Sequence, residues 1–249
     1  MKADDVKKLQ QKKFREQLGH YLVEGEHLIL ELFKAAIFQP HLANAQLFIT
    51  ENYSDWVQQH NKLKLRVTII GHKAMSQIAD TQTPPGIIAA VPFAPANARE
   101  DAHAAHSERA IYLHEIQDPG NLGTILRTLG WFGGFRCLLS PGSVDPYNPK
   151  VVRSSMGAIF HVPFEQNVLL NDVQERYPRI ACLDMQGKPL RENSFHNYDC
   201  YVFGNEARGV PREQLDELNA TAFTISGGGA IESLNLASAV NMCIYELRR

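Results

Sequence analysis

Apolar positions in the first ninety residues switch between two periods. Short apolar runs at 21–23, 46–50, 66–70 and 86–91 predict strands. Between them, Leu28, Leu32, Ala35 and Ala36 recur at helical spacing and predict a helix over 27–38. Shorter helices are expected at 55–61, with Trp56 in the core, and at 73–79. Residues 2–20 predict one helix rich in lysine and arginine. This alternation predicts a three-layer α/β/α domain over 1–93. The next stretch is rich in Pro, Ala, Asn and His and has no apolar period, so 94–108 reads as a linker.

A second α/β pattern fills 109–249. A strand over 111–116 runs into the turn Asp118-Pro119-Gly120. Asn121 is the expected N-cap of a helix holding Leu122, Ile125, Leu126 and Leu129, closed by Gly133-Gly134. Further strands are expected at 135–139, 180–185, 200–203 and 221–225. Helices are expected at 150–157, 167–177, 211–218 and 234–247. Short apolar strands separated by helices predict a mainly parallel sheet covered on both faces.

Charge changes this picture only locally. The 249 residues carry a formal net charge of -2, so any RNA contact must use a local basic patch. Residues 2–20 hold an excess of three positive charges, with Lys12 and Arg15 among them. They form either a solvated helix face or a phosphate-contacting surface. Lys150 and Arg153 admit the same two readings. Cys137, Cys182, Cys200 and Cys243 are far apart and sit in apolar runs, which predicts buried free thiols. His103 and His106 have HxxH spacing without acidic partners, so no metal is expected. No apolar run approaches the ~18 residues of a membrane span. The charged N-terminus lacks a signal-peptide core, so a cytoplasmic protein is expected.

The candidate chemistry gathers near the end of the chain. Tyr201-Val202-Phe203 runs into Gly204-Asn205-Glu206, and the last strand runs into Gly227-Gly228-Gly229. Two strand ends that break into Gly-rich loops let a ligand approach bare backbone. No dinucleotide fingerprint or P-loop accompanies them.

Asp118-Pro119-Gly120-Asn121-Leu122-Gly123-Thr124-Ile125-Leu126-Arg127 resembles the first motif of the SpoU (TrmH-like) RNA ribose methyltransferases. Phe203-Gly204-Asn205-Glu206-Ala207-Arg208-Gly209-Val210 resembles their second. Residues 225–236, with Ser233-Leu234-Asn235, resemble their third. The three stand in the family's order over about 130 residues. Lys12 to Gly25 resembles the small RNA-binding domain that precedes many of these enzymes.

The resemblance implies a C-terminal trefoil knot (SPOUT type), a homodimer and S-adenosyl-L-methionine (AdoMet) as methyl donor. It also implies structured RNA as substrate, with ribosomal RNA (23S-type) favoured and transfer RNA as the alternative. A non-catalytic RNA-binding or ribosome-assembly protein is a further reading. The catalytic set it implies is Arg127, Asn121, Glu206, Ser233 and Asn235. Gly204, Asn205, Ile225 and Leu234 would hold AdoMet. Arg127 follows Asn121 by six residues, about two turns down one helix. A guanidinium has no free acceptor, so its expected role is electrostatic rather than that of a base. Ser226-Gly227 replaces the family's Pro-Met, which is expected to loosen AdoMet binding rather than the fold. Ala237 replaces a common serine.

Overall fold

The structure, a computed structural model, describes residues 1–95, 108–228 and 233–249. His103, His106, Gly229, Glu232 and most of the expected linker lie outside the described residues. The chain divides into two compact units, Met1–Glu100 with Asp145–His161, and Asp101–Val144 with Val162–Arg249. The segment Asp145–His161 thus joins the unit built by the first hundred residues.

The first unit runs α1 (Ala3–Lys8), α2 (Lys12–Leu18), β1 (His20–Glu24), α3 (Glu26–Ala36), β2 (Gln46–Ile49), α4 (Ser54–His60), β3 (Arg66–Ile69), α5 (His72–Ile78) and β4 (Ile87–Pro92). Its sheet has the order β1-β4-β2-β3, with only β2 and β3 parallel. Val6, Leu9, Leu22, Phe48, Met75, Ile78 and Ile88 form one core cluster. Trp56 is half-buried, stacked on His60 with ring centroids 4.4 Å apart.

The single helix expected over 2–20 is two. Gln11 adopts an extended backbone between them. Arg15 turns inward at the break. It is 2% exposed and donates to the Leu9 and Gln10 carbonyls at 2.9 and 2.8 Å. It also pairs with the Asp145 carboxylate, its Nε at 3.0 Å. The break sends Val6 and Leu9 into the core and satisfies the carbonyls it frees. The expected phosphate contact of Arg15 is therefore corrected: the side chain is spent inside the fold. Lys12 remains at the surface, 3.8 Å from Glu16.

Asp145–His161 adds α7 (Pro149–Ser154), which packs on β1. Tyr147 lies against Tyr21 and Phe93, with centroids 4.6 and 4.4 Å away. Arg153 pairs with Asp80 at 2.7 Å. Lys150 is exposed, and its N–H is capped by Asn148.

Glu24 is 6% exposed and accepts from the Asp80 N–H at 2.8 Å and the Thr81 hydroxyl at 3.3 Å. Burial raises its carboxyl above the usual range, against the pull of the Asp80 N–H and the Arg153 charge. The folded chain then binds this proton more tightly than the unfolded chain. Stability from this group therefore falls as pH rises from the unfolded to the folded value. Glu24→Gln should flatten urea-unfolding stability across that window. An unchanged pH slope would refute the assignment.

The second unit runs β5 (Arg109–Leu113), α6 (Pro119–Phe132), β6 (Phe135–Leu139), β7 (Phe164–Gln166), α8 (Leu170–Arg176), β8 (Ile180–Pro189), β9 (Cys200–Phe203), α9 (Arg212–Glu217), β10 (Thr221–Thr224) and α10 (Leu236–Arg248). Its sheet is parallel throughout, in the order β10-β8-β9-β5-β6-β7. Tyr112, Leu138, Val173, Cys182, Val202 and Leu215 share one cluster, which seats α8 and α9. α6 packs on α10 and β6. The four cysteines are buried and free. β7 is short and half-buried, with no apolar run to announce it.

Asp118, not Asn121, caps α6. Pro119 takes the first helical position, where no N–H is needed, and Asp118 Oδ1 accepts from the Asn121 N–H at 2.7 Å. The end of α10 is fastened from outside. Arg109 donates to the Leu247 carbonyl at 3.2 Å, and His196 Nε2 meets the Glu246 carbonyl at 2.9 Å. Among the described residues no helix is long and apolar enough to cross a membrane.

Candidate active site

The carboxyl ends of parallel strands are where α/β sheets bind ligands. Here β5, β9 and β10 lead into the segments that carry the three motifs. After β5, Glu115 adopts a left-handed backbone (φ 47°). Three bonds hold it there. Its N–H donates to Ser140 Oγ at 2.7 Å, and its carbonyl accepts from Asn205 Nδ2 at 2.8 Å and Gln117 Nε2 at 3.0 Å. Its carboxylate pairs with Arg208.

After β9 the chain closes a tight loop. Asn205 and Gly209 exchange backbone bonds at 3.1 and 2.8 Å. Asn205 Oδ1 accepts from the N–H groups of Ala207 and Arg208 at 3.0 and 3.2 Å. A Cβ on Gly204 would come within 2.4 Å of the Gly209 carbonyl carbon, so this close approach admits only glycine. Asn205 is buried and its side chain is committed on both ends. Its side-chain bonds build the loop.

A chain of side chains joins all three motifs. Asn121 Nδ2 donates to Glu206 Oε1 at 3.0 Å, and Asn235 Nδ2 donates to Asn121 Oδ1 at 2.9 Å. Asn235 Oδ1 then accepts from the Ser238 N–H at 3.2 Å, as N-cap of α10. Both ends fix its direction. An ionised carboxylate only accepts and a backbone N–H only donates, so each amide can face one way. Sequence placed the same three residues together but gave Asn121 a capping role. As the third residue of α6 its side chain is free for this contact.

Arg127 is exposed on α6. Six residues at about 100° each put it some 240° around the helix from Asn121, on another face. The expectation of one shared helix holds, but the two side chains diverge. Trp131, one turn beyond Arg127, is 84% exposed, and Met242 and Tyr245 are exposed on α10. Tyr245 meets Phe132 at a centroid distance of 6.5 Å. Thr128 Oγ1 donates to Asn241 Oδ1 at 2.7 Å and ties the two helices.

Ser233 and Leu234 are exposed before α10, and Ile225 is half-buried after β10. Ser226, Gly227 and Gly228 are exposed. Sequence reading missed His114, whose Nδ1 is buried with no hydrogen-bond partner and whose pKa is lowered chiefly by burial. No local pattern marks such a residue. Arg208 was inside the second motif but unassigned, and Glu115 lies three residues before the first. Their pairing depends on a left-handed turn that a glutamate does not advertise. Among the described residues, no group of three or more His, Cys, Asp or Glu side chains is placed to hold a metal.

Residues 108–245 match the SpoU rRNA Methylase family, and residues 2–89 match the MRM3-like substrate binding domain. The chain is 30% identical over 252 residues to the 23S rRNA (guanosine(2553)-2'-O)-methyltransferase RlmP of Bacillus subtilis (strain 168), covering 99% of this chain and 96% of that one. It is 32% identical over 289 residues to the mitochondrial rRNA methyltransferase 3A of Danio rerio, covering 95% of this chain and 65% of the relative. Among solved structures it is similar to the AdoMet-bound rRNA methyltransferase of Sinorhizobium meliloti, with a TM-score of 0.81, 24% identity and 99% and 93% of the two chains covered. That likeness is one of fold.

Proposed function

Because the chain belongs to the SpoU rRNA methylase family, we propose that it transfers a methyl group from AdoMet to a ribose 2'-hydroxyl of structured RNA, ribosomal RNA first. The observation that carries this is the hydrogen-bonded chain Glu206–Asn121–Asn235, which ties together the three motifs that follow the carboxyl ends of β5, β9 and β10. Residues 1–93 are the proposed substrate-binding domain and 109–249 the transferase domain.

AdoMet, when bound, supplies an electrophilic methyl on a sulfonium. The residues present suit it. Ile225 and Leu234 offer apolar surface, and the ends of β9 and β10 offer backbone groups. Gly204 keeps the β9 loop closed enough to be a wall. Ser233 orients the ribose, and Asn235, bonded to Asn121 and to the Ser238 N–H, holds Asn121 in place. Arg127 grips the neighbouring phosphate and stabilises the oxyanion that develops on the 2'-oxygen.

The divergence of Arg127 from Asn121 supports a homodimer in which Arg127 serves the partner's site. Trp131, Met242 and Tyr245 supply the apolar surface such a contact needs. The family's trefoil knot belongs to the same proposal. A strand order that inserts β9 between β8 and β5, next to a C-terminal helix seated on α6, supports it.

The direct test is transfer of labelled methyl from AdoMet into size-fractionated, unmodified total RNA. Label recovered as a 2'-O-methylnucleotide in ribosomal RNA is the expected result. Label in transfer RNA would move the substrate class. No label in any fraction, without AdoMet binding, would leave a non-catalytic RNA-binding protein.

The polarity of the amide chain makes a further prediction. Asn121→Asp puts a second carboxylate 3.0 Å from Glu206 and should cost roughly 10–100-fold in kcat/KM. Glu206→Gln added to it restores a donor facing an acceptor at both contacts. The double variant should therefore recover most of the loss. A double variant worse than Asn121→Asp alone would show that the chain does not work this way.

A further inference from the structure

A pocket of about 230 Å³ opens in the first unit, lined by Tyr53, His72, Met75, Pro84 and Pro85, with Asn52 among its polar groups. We propose that it takes one unstacked nucleobase of the RNA substrate. The proposal rests on the RNA methyltransferase reading and assigns a contact that the transferase motifs do not contain.

Four observations carry it. The first is size. The volume falls below the ~300–1,000 Å³ of pockets for drug-sized ligands, so a single ring system suits it. The second is composition. A tyrosine ring, an imidazole, two prolines and a methionine form the walls, with amide and hydroxyl groups among them. Proteins that read RNA by sequence take splayed-out bases on such aromatic surfaces and hydrogen-bond their edges.

The third is preorganisation. Tyr53 Oη donates to Glu26 Oε1 at 2.8 Å. Its ring lies on Gly86, where a Cβ would come within 2.5 Å of a ring carbon and where φ is +77°. Trp56 meets the ring edge-on at 6.2 Å. The Gly86 carbonyl in turn accepts from the Thr50 N–H at 2.9 Å. The wall is set before any ligand arrives, which removes an ordering cost from binding. Glycine at position 86 is there because the tyrosine ring occupies the space of its side chain.

The fourth is charge. The residues that line the pocket include no Asp, Glu, Lys or Arg, so it suits the uncharged base of a nucleotide better than its phosphate. His72 and Lys73 are exposed at the start of α5. All the lining residues fall within 2–89, the span that matches a substrate binding domain.

Trp56 supplies the readout. The chain has two tryptophans, so the full-length Trp131→Phe protein reports from Trp56 alone. It is titrated with the four 5'-nucleoside monophosphates and with hexauridylate and hexaadenylate RNA. At least one of these should quench or enhance the fluorescence saturably. Added Tyr53→Ala should weaken that binding about tenfold or more, whereas Tyr53→Phe, which keeps the ring, should stay within about threefold. Asn52→Ala, at an exposed position, should change the preference among the four nucleotides. The same variants are assayed for methyl transfer, where Tyr53→Ala should raise the KM for RNA and leave kcat and AdoMet binding alone. No saturable signal from any probe overturns the pocket. So does equal binding, or an equal KM, in Tyr53→Ala. If the wild-type protein binds nucleotides in this way but transfers no methyl to any RNA, the pocket stands and the methyltransferase reading falls.

Discussion

Arg127→Ala should lower kcat for RNA methylation by about 10²–10³, the loss typical of removing one donor from a developing oxyanion. AdoMet binding should stay within about threefold, because the expected cofactor surface lies at Ile225 and Leu234 and not on the exposed face of α6. The guanidinium is not the base that takes the 2'-proton, since it has no lone pair to offer. The role proposed for it is electrostatic, so Arg127→Lys should keep part of the rate while losing the two-pronged grip on phosphate. Mixing decides which subunit it serves. In the proposed homodimer with Arg127 acting across the interface, a mixed dimer of Arg127→Ala and Asn121→Ala chains has one site with both lesions and one with neither. If Arg127 acts across the interface, an equal mixture should regain about a quarter of wild-type activity. If it acts within its own subunit, mixing restores nothing, and the dimer argument drawn from the helix face is wrong.

Arg15→Ala should destabilise the first unit by about 3–5 kcal/mol, the usual cost of breaking a buried ion pair from one side. The side chains of Arg15 and Asp145 are 3% and 10% exposed, so solvent screens the pair little. Removing the arginine strands the Asp145 carboxylate and the Leu9 and Gln10 carbonyls together. In the Trp131→Phe background, Trp56, in the same unit, reports urea unfolding of that unit separately from the rest. Arg15→Met with Asp145→Leu should recover part of the loss, because no charge is then left buried while the Leu9 and Gln10 carbonyls and the Tyr147 N–H lose their partners. A loss below about 1 kcal/mol for Arg15→Ala would mean the pair is not closed in solution. The same variant separates the two readings of this arginine. A phosphate contact would shift the salt slope of RNA binding by about one. A purely internal role leaves that slope unchanged under conditions where the variant is folded.

Much of the fold could be read along the chain because the relevant signals are local. Strands at 46–50 and 135–139 are announced by apolar runs, and the helix after Asp118-Pro119 by a cap, a proline and a period. What failed locally failed for reasons of competition. Asn121 and Asp118 are both good caps, and Pro119 decided between them by needing no N–H at the first turn. β7 has three half-buried residues and gains its place only by pairing with β6. The helix over 2–20 has the right composition for one helix. It breaks because burying Val6 and Leu9 and satisfying Arg15 favour a turn.

The amino-acid sequence by itself determined the parallel α/β plan of the second unit, the loops at its strand ends and the residue types of the site. These depend on period, glycine and proline, which act over a few residues. Only the tertiary structure decided what each side chain does there. Asn121, Glu206 and Asn235 are separated by 85 and 114 positions from one another's contacts, and their amides acquire a direction only when a carboxylate and a helix start close on them. Arg15 and Asp145 lie 130 residues apart, and burial turned a basic residue in a basic helix into a structural one. Arg127 and Asn121 share a helix, yet 240° of rotation, about two-thirds of a turn, points them at different neighbours. Long-range closure and burial set those roles, and neither is encoded in any short stretch of the chain.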